Sequence, residues 1–180
     1  GFELREENTN ASLEKLGIAK KKIWNGNKFK GTLIVHGEQG VGDEILFSSM
    51  FSDLFGHHKD LIISADDRLM SFFERSFPKI KFISRKKNID LNNNPYHILS
   101  GSLGRYFRNS LNDFKTTNKP WLLPNHKKVE KFKNYFYGTK KIKIGVSWTT
   151  TGINDKKRII SLIDLVRLFP EEKFEIINLQ

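Results

Sequence analysis

The sequence predicts an α/β protein, a Rossmann-like, mostly parallel sheet with helices on both faces. Three observations predict it. Short apolar runs of strand length alternate along the chain with segments of helical apolar period, the pattern of a sheet built from strand–helix–strand crossovers. One junction, Leu33-Ile-Val-His-Gly-Glu-Gln-Gly-Val-Gly-Asp-Glu-Ile-Leu-Phe47, reads as a buried strand, a tight glycine turn and a helix start. Hydrophobic residues make up 38% of the 180 positions, with 15 Phe, enough for a substantial core. No internal repeat of solenoid period competes with this reading.

The elements run in order along the chain. Residues 2–22 are polar and charged, with only Leu13, Leu16 and Ile18 to bury, and read as a linker or helix remnant. Ile23-Trp24-Asn25-Gly26 is a turn carrying a large aromatic. Residues 32–38 form the first strand. In the helix from Gly42 to about His58, Ile45, Leu46, Phe47, Met50, Phe51 and Leu54 recur at helical spacing. Residues 60–65 are a second strand. Asp66 and Asp67 are placed to cap a helix over 68–77, which Pro78 ends. Residues 79–83 alternate as a third strand, 90–95 are a polar loop and 96–100 a fourth strand. A short helix begins at Gly101. Residues 120–124 are extended around Trp121, and 126–137 form a basic amphipathic helix. A strand over 141–148, a polar loop over 149–157, a helix over 161–169 and a strand over 174–179 complete the chain. It stops at Gln180 directly after an apolar strand, where a covering crossover is due, so it is expected to be a fragment of something longer.

Composition narrows the function. No apolar run reaches the roughly 20 residues of a membrane span, and no secretory signal is visible. With 0 Cys there is neither a disulfide framework nor a thiolate zinc site, which suits a cytoplasmic protein. No cluster has metal-ligand spacing, so no metal cofactor is expected. Lys plus Arg number 31 against 20 Asp plus Glu, a net charge of +11. The basic residues are scattered in short groups (Lys20–Lys22, Arg85–Lys87, Lys127–Lys133, Lys140–Lys143, Lys156–Arg158), and the aromatics Phe47, Phe51, Phe55, Phe72 and Phe73 fall at core spacing. A solvated lysine-rich surface is therefore expected rather than a nucleic-acid partner, with a basic single-strand binder as a third reading.

The glycine turn excludes two ligand classes. A triphosphate-binding loop ends in Gly-Lys-Ser/Thr, whereas Gly42 is followed by Asp43 and Glu44, whose charges repel phosphate. The dinucleotide fingerprint G-x-G-x-x-G fails at its third glycine, where Ile45 stands.

One ordered series points further. It runs Trp24-x-Gly26, Glu38-Gln39-Gly40-Val41-Gly42-Asp43, Ser100-x-Ser102-Leu103-Gly104, Ile144-Gly145-Val146-Ser147-Trp148, Asn154-Asp155-Lys156-Lys157-Arg158-Ile159-Ile160-Ser161-Leu162 and Leu179-Gln180. Over roughly residues 23–180 it resembles the glycosyltransferase-like domain at the C-terminus of bacterial tetratricopeptide-repeat proteins, which is similar to the heptosyltransferases and has the two-Rossmann, B-type fold. The resemblance implies three parts. Residues 1–30 are a linker or remnant of preceding helical repeats in the same polypeptide. Residues 31–138 are the N-terminal, acceptor-side domain. Residues 139–180 are the truncated start of the C-terminal, donor-side domain. It also implies a glycosyltransferase that moves a sugar from a nucleotide-sugar to a hydroxyl of a glycan, lipid or protein acceptor. The family's distal donor motif, an Asp-Thr before an Ala/His-rich helix, is missing, so this stretch alone is expected to be incomplete and inactive. The family's common Arg-containing segment is replaced by Phe47-Ser48-Ser49. The alternative is a non-catalytic binding module on the same fold.

Residue roles follow from the resemblance. Asp43 is the candidate general base on the acceptor hydroxyl, against the plainer role of a helix-start aspartate. Glu38, Gln39, Gly40, Gly42, Ser100 and Ser102 would line the acceptor cleft. The glycines would admit a ligand to the backbone and the strand-end side chains would bond hydroxyls. Lys156, Lys157 and Arg158, with Thr149 and Asn154, would hold the donor diphosphate through charge-assisted bonds. His36 reads as a core histidine with a satisfied partner. Around Ser100–Gly104 no Ser–His–acid arrangement appears, which argues against a hydrolase.

Overall fold

The computed structural model describes residues 13–15, 17–19, 22–38, 40–87, 95–117, 120–149 and 160–179. The chain divides into two compact units, Gly1–His126 and Lys127–Gln180. The division thus falls ahead of the expected boundary at residue 138, so the basic helix belongs to the second unit.

The first unit is a mixed α/β body, a four-stranded parallel sheet flanked by helices, with a Rossmann-like strand order. Its strands are β1 (Leu33–His36), β2 (Leu61–Ala65), β3 (Lys81–Ser84) and β4 (Tyr96–Leu99), ordered β3-β2-β1-β4. All three pairings are parallel, with Leu33 opposite both Leu61 and Tyr96. Between β1 and β2 run α1 (Val41–Phe47), a 3-10 turn (Ser48–Met50) and α2 (Phe51–His57). This is the single helix expected from the sequence, tightened for three residues in its middle. Ser48 marks the tightening: its hydroxyl donates to the Ile45 carbonyl at 2.7 Å and accepts the Trp121 indole N–H at 3.0 Å.

Helix α3 (Met70–Ser76) connects β2 to β3 and starts two residues later than the aspartates suggest. Asp66 caps a turn instead: its carboxylate accepts the Arg68 N–H at 2.9 Å and its carbonyl the Leu69 N–H at 2.9 Å. After β4 come a 3-10 turn (Ser100–Leu103), α4 (Gly104–Phe107) and a 3-10 segment over Leu111–Thr117 that no sequence signal announces.

One core serves this unit. Leu33, Val35, Leu61, Ile63, Ala65, Phe82 and Ile98 share one face of the sheet, as the period of two and the registers require. Against them pack Met50, Phe51 and Leu54 from α2 and its preceding turn, and Phe73 and Phe77 from α3 and its end. Phe51 meets Phe73 and Phe77 edge-on at 5.7 and 5.5 Å, a geometry aromatic rings prefer to a sandwich. Trp24 extends the strand system: Ile23 bridges His97 in parallel, and the Trp24 N–H donates to the His97 carbonyl at 2.8 Å. Gly26, at φ 90°, lies where any Cβ would stand 2.5 Å from the Tyr106 ring, which accounts for the Trp-x-Gly spacing.

The second unit contains α5 (His126–Tyr135), β5 (Ile142–Val146), α6 (Leu162–Arg167) and β6 (Phe174–Asn178), with β5 and β6 paired in parallel from Ile142–Phe174 to Val146–Asn178. The sequence placed each of these elements within about two residues. No helix among the described residues is long and apolar enough to cross a membrane.

Candidate functional site

In a parallel sheet of order 3-2-1-4, the chain leaves β1 toward β2 on one side while β4 lies on the other. A crevice opens at the carboxyl ends of β1 and β4, where doubly wound sheets receive ligands. Most of the acceptor-side residues named from the sequence lie at this place. Glu38, Gly40, Gly42 and Asp43 leave β1, and Ser100 and Ser102 leave β4. One bond ties the two exits together: the Gly101 N–H donates to Glu38 Oε1 at 2.9 Å. Glu38 is thus engaged in joining the two strand exits. Gln39 lies outside the described residues.

Asp43 is exposed on the first turn of α1. No side chain caps that helix; Gly40 occupies the cap in an extended conformation, φ −102° and ψ 141°, and its carbonyl accepts the Glu44 N–H at 3.1 Å. The plainer role of Asp43 as a capping side chain is therefore not the one it plays. Gly42 sits inside α1 with nothing within 4 Å of where a Cβ would stand. Neither Gly40 nor Gly42 has a positive φ, so the turn itself does not demand them. Ser100 is buried at 1% exposure, and its hydroxyl oxygen has no hydrogen-bond partner among the described residues. Ser102 is half-buried beside it.

Beneath the glycine turn lies a charged cluster that the sequence reading missed. Glu44 is 2% exposed. Its Oε2 accepts the Asp66 N–H at 2.9 Å and its Oε1 an Arg85 Nη2 donor; Arg85 also reaches Asp66 at 3.2 Å. A carboxylate on α1 is thereby fastened to the exits of β2 and β3. Burial pushes the Glu44 carboxyl above its ordinary range, while the Asp66 amide and the Arg85 guanidinium pull it back. Hydrogen bonds from Arg68 hold the Asp66 carboxyl well below its ordinary range. Gly37 is required here: a Cβ would stand 2.3 Å from Glu44 Oε1 and 2.8 Å from the Ser64 carbonyl oxygen. A sequence signal existed, since Glu44 falls three residues after Val41 and four before Ser48, on the inward face of α1.

The expected partner of His36 is His97. Their rings lie on the same face of β1 and β4, with Nε2 of His36 and Nδ1 of His97 2.9 Å apart, one donating and the other accepting. Both are lowered to about 4, chiefly by burial, with a smaller part from the neighbouring His97 ring for His36 and from Lys22 for His97.

A separate depression of about 470 Å³ is lined by Asp53, Tyr106, Phe107, Arg108 and Asp113, among others. Its polar groups brace the fold: Arg108 bonds Asp53 at 2.8 Å and the Phe107 and Ser49 carbonyls at 2.6 and 3.2 Å. Asp113 accepts the Asn109 and Ser110 N–H groups, each at 2.8 Å.

Of the donor-side residues, Thr149 follows β5 and is half-buried. Asn154, Lys156, Lys157 and Arg158 lie outside the described residues. Among the described residues, no group of three or more His, Cys, Asp or Glu could hold a metal ion.

The chain is 34% identical over 67 residues to Protein FlbA of Caulobacter vibrioides, a match covering 35% of this chain and 11% of that relative. The matched stretch thus spans about a tenth of the relative's length. No protein-family model matches the chain, and no solved structure matches it.

Proposed function

We propose that this chain carries the acceptor-side Rossmann-like domain, and the start of the donor-side domain, of a B-type glycosyltransferase. The reading rests on the ordered motifs and on one structural observation above all. At the switch point an exposed carboxylate, Asp43, stands next to a helical glycine, Gly42, that has empty space over it and no conformational reason to be glycine. A glycine at a place the fold leaves open lets a ligand approach the backbone closely.

In the proposed reaction Asp43 takes the proton from an acceptor hydroxyl as its oxygen attacks the anomeric carbon of the donor sugar. The bond to the nucleoside diphosphate breaks, and Lys156, Lys157 and Arg158, with Thr149 and Asn154, hold the leaving diphosphate. The reading places the enzyme in the cytoplasm, attached to tetratricopeptide repeats and working without a metal.

A thermal-shift titration with nucleotide-sugars and free nucleoside diphosphates tests it, paired with an assay for released diphosphate. Because this stretch alone is expected to be inactive, the assay uses a chain extended past Gln180, where the expected result is stabilisation by one nucleotide class and turnover that Asp43→Asn lowers about a hundredfold or more. Stabilisation without turnover, unaffected by Asp43→Asn, would instead favour a non-catalytic binding module. No stabilisation of the folded protein by any member of the panel would overturn the transferase reading and leave the non-catalytic module.

A further inference from the structure

The second unit carries a surface that the proposed reaction leaves unused. Between His126 and Lys143 the chain has seven lysines (Lys127, Lys128, Lys131, Lys133, Lys140, Lys141 and Lys143) against one carboxylate, Glu130. That is six of the chain's net eleven positive charges in eighteen of 180 residues. The structure also folds the two lysine groups onto one another. The Lys143 ammonium at the start of β5 turns back toward the end of α5, donating to the Thr139 carbonyl at 3.4 Å and lying 5.8 Å from the Phe136 ring.

Large aromatics stand exposed among these charges, unlike Phe47, Phe51, Phe55, Phe72 and Phe73, which pack in or against the core of the first unit as expected. Phe132 is 53% exposed, Tyr135 74% and Tyr137 90%. Helical spacing sets Lys128, Lys131 and Tyr135 in one stripe along α5. Tyr135 meets Phe136 edge-on at 4.9 Å, and Phe136 stacks with Phe132 at 6.3 Å, so the tyrosine ring is propped rather than loose.

We propose that this face of α5 and the turn after it binds single-stranded nucleic acid, with the lysines tracking phosphates and Tyr135 and Tyr137 stacking on bases. Charge complementarity selects a polyanion. Single-strand binders combine a basic track with aromatic platforms, because every base offers a flat face. An anionic membrane fits the same charge but not the same apolar surface. A helix lying in a bilayer surface buries a broad apolar stripe. Here Val129 and Phe136 are half-buried, so Phe132 is the one strongly apolar side chain that α5 and the turn after it expose, with Ile142 of β5 exposed beyond them. The two most exposed rings, by contrast, are tyrosines set between lysines.

The test is fluorescence anisotropy of the full chain with a short labelled oligothymidylate across a salt series. In parallel, the chain is sedimented with vesicles of phosphatidylcholine and phosphatidylglycerol. Binding to the oligonucleotide is expected at low salt, with log K falling by about 0.7 per phosphate neutralised for each unit of log salt. Tyr135→Ala and Tyr137→Ala should each weaken it roughly tenfold with the salt slope unchanged, whereas Lys131→Gln should reduce the slope. Both tyrosines are exposed, so circular dichroism of the variants should match the parent. Tyrosine variants that bind as the parent does would overturn the proposal, as would absence of oligonucleotide binding, or capture by the vesicles alone.

Discussion

His36 and His97 show what a pair of neutral rings does for a small sheet. Both are held at about 4 against an ordinary value of 6.5, chiefly by burial. The unfolded chain therefore binds more protons than the folded one between about pH 6.5 and pH 4, and stability falls as the pH drops through that window. The loss should reach roughly 3 kcal/mol per histidine at most, because each pKa unit is worth about 1.4 kcal/mol and the two rings titrate as a coupled pair. Urea unfolding at pH 7 and pH 5 should show a lower midpoint at pH 5, and His36→Gln/His97→Gln should remove most of the difference. A pH-independent midpoint, or a loss that the double variant shares in full, would refute the assignment. From the sequence, His36 was legible as a satisfied core histidine because it falls inside a strand. That His97 satisfies it was not, since the pairing follows from β4 lying beside β1, a matter of strand order that no local pattern encodes. Glu44 was missed for a different reason. A charged residue at a helix start reads as a surface residue until the arginine that reaches it, forty-one positions away in the chain, is brought next to it.

At the scale of elements, the glycine turn after β1 holds one position the fold needs, Gly37, and one it does not, Gly42. Gly37→Ala should force β1 away from β2 and Glu44 away from Arg85, at a cost of about 1–3 kcal/mol. Gly42→Ala, in a helix with open space, should be neutral or stabilising by about 0.5–1 kcal/mol. Thermal unfolding of the two variants checks this, and equal losses would refute the distinction. The sequence singled out Gly40 and Gly42 because glycines near a strand end suggest a turn. Gly37 was legible only as part of that turn; its own reason is a side chain arriving from the next helix. Element positions were otherwise legible, because apolar period and strand length are local properties. The 3-10 segment over Leu111–Thr117 was not, since it carries no apolar period and Leu111 and Phe114 are exposed.

At the scale of the molecule, the two compact units are unequally provisioned. The first has four parallel strands and one core; the second has two parallel strands, and Ile142, Leu162, Ile163, Val166 and Leu168 are exposed. A two-stranded sheet is marginal alone, and parallel sheets are usually covered on both faces. Hydrogen exchange should therefore be faster by about tenfold or more at the amides of β5 and β6 than at those of β1 and β2. Equal protection, or loss of both sets in one transition, would show that the chain unfolds as one cooperative body. The fold class was legible because alternating strands and helices admit few arrangements. The grouping of α5 with β5 and β6 was not legible, because it follows from contacts made in the folded chain rather than from any local pattern.

The strand order also sets a timetable for synthesis. β1 is flanked by β2 and β4, yet Tyr96, which pairs with Leu33, leaves the ribosome about sixty residues after it. At roughly 5–20 residues per second, that is about 3–12 s. For those seconds β1, buried over Leu33, Ile34 and Val35, has one bare edge, a template for any extended segment nearby. Slower decoding over residues 85–95 would lengthen that interval without changing a single amino acid.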